Sequence, residues 1–127
     1  MRAVDTNVLV RILARDDPRQ VRLADGFVAA GAWVSLLALA ETMWVLTTVY
    51  ERDAAALAAS VEQLLNHKDL TLQDREVVAA ALETFRSRPA LGFTDCLLLE
   101  VARKAGHLPL GTFDCNLSKI DGAEKLS

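Results

Sequence analysis

Apolar positions along the chain recur in two rhythms: short unbroken runs bounded by polar residues, and longer stretches repeating every three or four positions. The first marks buried strands and the second helices. Arg2–Val4 reads as a short strand, after which Asp5-Thr6 opens a helix along Val8, Leu9, Ile12 and Leu13, since Asp and Thr are favoured at helix starts. Asp17-Pro18 starts a second helix through Val21, Ala24 and Val28 to Gly31, with proline in its tolerated first turn. Ala32–Ser35 is strand-like, and Leu36 to about Tyr50 is a helix apolar nearly all round, hence expected at the centre of the fold. Asp53 to about His67 is an amphipathic helix, Leu70–Leu72 a brief strand, and Asp74 starts a helix running towards Pro89. Thr94-Asp95 starts another along Leu97, Leu98, Val101 and Ala105 to Gly106; Leu108–Phe113 is the next strand and Ala123–Leu126 a weak last one. Strands alternating with helices predict a parallel sheet covered on both faces. The expected fold class is therefore α/β: a three-layer α/β/α sandwich with a central, mainly parallel sheet, in one domain over residues 1–127.

One stretch imitates a membrane span. From Trp33 to Tyr50 the only charge is Glu41, and the length approaches that of a spanning helix. A carboxylate near the middle of a span costs about 2.5–3.5 kcal/mol, and Ser35, Thr42, Thr47 and Thr48 weaken the run further. A short strand followed by a buried helix explains it better, and no membrane association is expected.

Composition supports a folded domain, with 52% hydrophobic residues against 24% charged. Met1 leads directly into a charged, strand-like start, so no secretory segment is expected; Cys96 and Cys115 then read as reduced thiols of a cytoplasmic protein. The net charge of −3 argues against a globally basic nucleic-acid binder. The charge is uneven, however. Residues 1–24 carry five arginines against three aspartates, and residues 85–107 carry four bases against two acids. Arg11, Arg15, Arg86 and Arg103 are accordingly candidates for contacting RNA phosphates, with ordinary solvated arginines as the other reading.

The chemistry resides in acids. Ligands of open α/β sheets bind outside the carboxyl ends of the strands. Asp5 follows the first strand and Asp114 follows Leu108–Phe113, so both are expected on one rim, with Asp95 beside it at a helix start. Glu41 shares a stripe with Leu37, Val45 and Thr48 on a helix with no polar face. Buried there, it would need a cation, a hydrogen-bond network or a proton. A metal shared with Asp5 and Asp95 is the simplest partner. Such oxygen ligands suit Mg²⁺, with Mn²⁺ able to substitute, and Thr6, Asn7, Thr112 and Asn116 could orient waters around it. Each aspartate could instead be a helix N-cap, and Glu41 could bridge to Arg11 or Arg103. His67 and His107 lack zinc-ligand spacing to the cysteines, no phosphate loop or catalytic triad is present, and the Trp and Phe residues fit core positions better than a stacking platform.

Val4-Asp5-Thr6-Asn7-Val8-Leu9-Val10-Arg11 resembles the opening motif of PIN-domain proteins. Glu41 in Ala40-Glu41-Thr42, Asp95 in Phe93-Thr94-Asp95-Cys96-Leu97 and Asp114 in Thr112-Phe113-Asp114 are similar to that family's remaining acidic positions, in order and spacing. The length is that of the toxins of VapBC toxin–antitoxin pairs. The resemblance implies a Mg²⁺- or Mn²⁺-dependent endoribonuclease cutting a structured cellular RNA, a homodimer, and a small antitoxin that blocks the acidic site. Family members often carry a further acid two residues after the fourth; Asn116 stands there, which puts a second metal in question.

Two other classes compete. A phospho-accepting receiver module needs an acid pair after the first strand and a lysine after the last, whereas Asp5 stands alone and no lysine closely follows Leu108–Phe113. A catalytically silent binding domain of the same fold would not need the full acid set.

Overall fold

The computed structural model describes residues 1–127, and every strand and helix read from the pattern above is present within a few residues of its expected place. The chain divides into two compact units, Met1–Arg75 and Glu76–Ser127.

The first unit contains β1 (Arg2–Ala3), α1 (Thr6–Ala14), α2 (Pro18–Val28), β2 (Ala32–Val34), α3 (Leu36–Thr48), α4 (Ala54–Asn66) and β3 (Leu70–Leu72). Its strands form a parallel ladder in the order β1-β2-β3, with Arg2 opposite Ala32 and Trp33 opposite Thr71. Burial has period two: Ala32, Val34, Leu70 and Leu72 are buried, and Trp33 and Thr71 are exposed. Each helix starts where a polar side chain satisfies an orphan amide. Asp5, Asp17, Ser35 and Asp53 accept from Val8, Gln20, Ala38 and Ala56 respectively. Leu9 and Ile12 of α1, Leu39 and Leu46 of α3, and Val61 and Leu64 of α4 are fully buried and form the core.

The second unit contains α5 (Arg75–Ser87, entered from the last residue of the first unit), α6 (Phe93–Ala105), β4 (Leu110–Thr112), a short 3₁₀ turn (Leu117–Lys119) and β5 (Ala123–Lys125). Strands β4 and β5 pair in parallel. Val78, Ala81, Leu82 and Phe85 of α5 and Phe93, Leu97 and Leu99 of α6 are buried. Phe85 and Phe93 meet edge to face at 5.9 Å, a favoured aromatic geometry. Gly106 stops α6 in the left-handed region at φ +82°, where a side chain would be strained. Asp74, read as the start of α5, takes φ +47° instead of the extended geometry of a cap.

The α/β class with parallel strands is as expected, but the strands hydrogen-bond as two ladders and not as one continuous sheet.

The expectation for α3 needs correction. Ala38, Leu39, Thr42, Met43 and Leu46 face inward, while Leu37 is 71% exposed, Trp44 66% exposed, and Glu41 lies on that same open face. Glu41 is therefore not a buried carboxylate. The buried polar residue of the helix is Thr42, whose hydroxyl is satisfied by donating to the Ala38 carbonyl at 2.7 Å. The aromatic residues also divide. Phe85 and Phe93 are core residues, but Trp44 and Phe113 (77% exposed) are not. No helix is long and apolar enough to cross a membrane.

Candidate functional site

Asp5 stands between β1 and α1 and caps the helix: its Oδ1 accepts the Val8 amide at 3.2 Å. The capping reading of Asp5 is thus correct, and it leaves the second carboxylate oxygen for other work. Thr6, the next residue, donates from Oγ1 to Oε2 of Glu41 at 2.8 Å. Glu41 reaches the start of α1 from the second turn of α3, where the helix dipole favours a negative charge. Within the first unit, the fold thus draws Glu41 to within one residue of Asp5 along the chain. The bridges considered for Glu41 are not made by Arg11, which binds Asp16, Gln20 and Tyr50. Asn7 lies exposed in the first turn of α1.

In the second unit, Asp95 and Asp114 are electrostatic neighbours. Burial, then the charge of Asp114, hold the Asp95 carboxyl above the usual carboxylate range, with no hydrogen-bond donor to offset them. Asp95 does not cap its helix. α6 begins at Phe93, Gly92 occupies the cap without a side-chain bond, and Asp95 is the third helical residue. Cys96, directed into the core beside it, has its thiol pushed up to about 11, chiefly by burial and then by the charge of Asp95. Asp114 follows β4 and accepts the Leu117 amide at 2.9 Å, while its own amide donates to Thr112 Oγ1 at 3.0 Å. Thr112 thus holds the backbone of Asp114; Asn116 makes no capping bond to the 3₁₀ turn that follows.

All donors in both carboxylate pairs are oxygens, the set that hard divalent cations take. No group of three or more histidines, cysteines, aspartates or glutamates lies close enough together to hold a metal ion. Both cysteines are free.

The arginines nominated for RNA are mostly engaged within the protein. Arg15 is bidentate to Asp25, at 2.8 and 3.3 Å. Arg103 pairs with Glu100 at 3.3 Å and donates to the Asp121 carbonyl at 2.7 Å. Its guanidinium lies where a Cβ on Gly122 would fall, 3.0 Å away, so it braces the turn into β5. Arg86 lies in the last turn of α5. Sequence reading missed the Tyr50–Asp16 bond that completes the Arg11 cluster, because the partners come from a loop and from beyond the end of α3.

The double role of Asp5 can be separated by substitution. Asp5→Asn should keep the cap and the stability, because Asn caps as well as Asp, whereas Asp5→Ala should cost about 0.5–2 kcal/mol. Denaturant melts of the two variants make the comparison. A loss in Asp5→Asn as large as in Asp5→Ala would mean that the charge, and not the cap, supports the fold.

The PIN domain model matches residues 2–123, and the chain belongs to the PIN domain family, whose members are generally metal-dependent nucleases. No curated protein and no solved structure matches the chain.

Proposed function

We propose that the chain is a Mg²⁺-dependent endoribonuclease toxin that cuts a structured cellular RNA in the cytoplasm. Mn²⁺ substitutes for Mg²⁺, and a small cognate antitoxin neutralises the protein. The observation that carries the reading is the family match over nearly the whole chain, with all four acids, Asp5, Glu41, Asp95 and Asp114, inside it. These are the proposed ligands. A divalent ion held by them would lower the pKa of a water ligand and neutralise charge developing on the phosphodiester. The chain's own residues prepare for it. Thr6 donates to Glu41, the cap holds Asp5, Thr112 accepts from the Asp114 amide, and Asp95 is a carboxylate whose charge lacks a partner. Asn7 and Asn116 are proposed to order water around the ion. The exposed Leu37 and Trp44 on either side of Glu41 support a protein partner, the antitoxin or a second copy in a homodimer.

The test is incubation of the purified protein with total cellular RNA in Mg²⁺, Mn²⁺ or chelator. Discrete fragments are expected with either ion and none with chelator. RNA left intact in Mn²⁺, or cut equally in chelator, would refute the reading. RNA affinity should also fall with salt as phosphate contacts are lost. If Arg15 or Arg86 touches phosphate, its replacement by Ala should reduce the slope by about one. Filter binding at several salt concentrations measures this, and a flat profile would remove the arginines from the interface.

A further inference from the structure

Arg11 sits mid-helix in α1, half-buried, and its guanidinium is engaged through Nε and Nη1. Nε donates to Gln20 Oε1 at 2.6 Å, and Nη1 donates to Asp16 Oδ1 at 2.8 Å and to the Tyr50 hydroxyl at 3.0 Å. Tyr50 in turn donates to the other oxygen of Asp16 at 2.7 Å. The three groups close a ring: cation to carboxylate, cation to hydroxyl, hydroxyl to carboxylate. Asp16 lies in the turn between α1 and α2, and Tyr50 lies two residues beyond α3. The ring therefore ties α1 to the far end of α3, whereas the Thr6–Glu41 bond ties the two helices at the end where Asp5 caps α1. Between these ties the contact is apolar, with Leu9 and Ile12 of α1 and Leu39 and Leu46 of α3 fully buried. Apolar contacts are non-directional and fix no register by themselves; hydrogen bonds at both ends do.

We infer that Arg11, Asp16 and Tyr50 form a positioning clamp that sets how α1 lies against α3, and hence the separation of Asp5 from Glu41. This assigns Arg11 away from RNA. The electrostatics agree with the geometry. The Tyr50 hydroxyl, and secondarily the Asp16 charge, hold the Arg11 guanidinium more firmly protonated, and Asp16 is held below the usual carboxylate range by Tyr50 and then by Arg11. Tyr50 is suited to this task because it both accepts from the cation and donates to the carboxylate, which phenylalanine cannot do.

Insofar as it concerns ion binding, the inference rests on the reading of Asp5 and Glu41 as ligands, so the test carries one readout that needs no ion. Tyr50→Phe and Asp16→Asn are compared with Asp25→Ala, which releases Arg15 and loosens α1 from α2 but touches nothing on α3. The readouts are Mn²⁺ affinity by calorimetry and, in metal-free protein at one neutral pH, the carboxyl ¹³C shifts of Asp5 and Glu41. Residues that orient metal ligands from outside typically change affinity by about 10–100-fold. The clamp variants should weaken Mn²⁺ by about tenfold at least and move both carboxyl signals, while Asp25→Ala should lower the melting temperature and change neither readout. Equal effects from Asp25→Ala, or unmoved carboxyl signals in Tyr50→Phe, would overturn the clamp. If wild type binds no Mn²⁺ while the carboxyl signals still respond to Tyr50→Phe, the ligand reading falls and the clamp stands.

Discussion

Asparagine in place of Asp95 is expected to lower Mg²⁺-dependent RNA cleavage by at least about a hundredfold, the loss typical when charge stabilisation is removed from a reacting centre, while the protein stays folded. The substitution is nearly isosteric and removes no helix cap, because Gly92 holds that position and Asp95 is the third residue of α6. What disappears is one negative charge of the proposed ligand set. Asp5→Asn and Glu41→Gln should behave alike. Asn retains the cap on α1, and Gln still offers Oε1 to the Thr6 hydroxyl, so neither loss would be one of folding. Asp114→Asn should be less severe, because its cap to Leu117 survives and its carboxylate is the more exposed of its pair. The control is Asp53→Asn, an acid that caps α4 at 2.9 Å and belongs to no carboxylate pair; it should cleave like wild type. Gel assays with matched circular dichroism decide the matter. Full activity in Asp95→Asn would exclude Asp95 from the chemistry.

How much of this was legible in the sequence depended on the physics of each feature. Helix starts were readable because capping is local: Asp5, Asp17 and Asp53 satisfy amides three residues on. Short apolar runs gave β2 and β3 for the same reason. Glu41 was nominated for the wrong cause. An all-apolar helix carries no information about which side turns inward; Ala38, Leu39, Thr42, Met43 and Leu46 took the inner face, which left Leu37, Glu41 and Trp44 outside. The residue survives as a candidate because Thr6 reaches it, a contact across 35 residues that no local rule supplies. Asp95 falls in the first turn of its helix, as the pattern placed it, with Phe93 adding one residue ahead of Thr94. The arginines' partners within the protein were not legible. Clusters of charge along a sequence do not reveal partners such as Asp25 or the Asp121 carbonyl.

The second large effect is thermodynamic and needs no substrate. Millimolar Mn²⁺ should raise the melting temperature of wild type at neutral pH. At about 100 times the dissociation constant, linkage gives roughly 2.7 kcal/mol. Metal-free Asp95→Asn should be at least as stable as metal-free wild type and gain much less from the ion. The sign follows from Asp95, whose folded pKa is raised, first by burial and then by Asp114. Between its ordinary value and the raised one, the folded state binds more protons than the unfolded, so stability falls as pH rises through that window and stays lower above it. The advantage of Asp95→Asn should therefore be present at neutral pH and vanish on acidification below the ordinary carboxylate value. Asp16, Asp25 and Glu76 are held low by Tyr50, Arg15 and Lys104 respectively. Their contributions run the other way: present above the ordinary carboxylate range and lost as pH falls through their depressed values. Wild type alone would mix the opposing trends, and the difference between the two proteins isolates Asp95. Melts of both across pH, with chelator and with Mn²⁺, read it directly. A wild type indifferent to Mn²⁺ would remove the ion from the proposed function. An Asp95→Asn variant less stable than wild type at neutral pH without metal would show that the Asp95 charge supports the fold, and that the repulsion from Asp114 is outweighed.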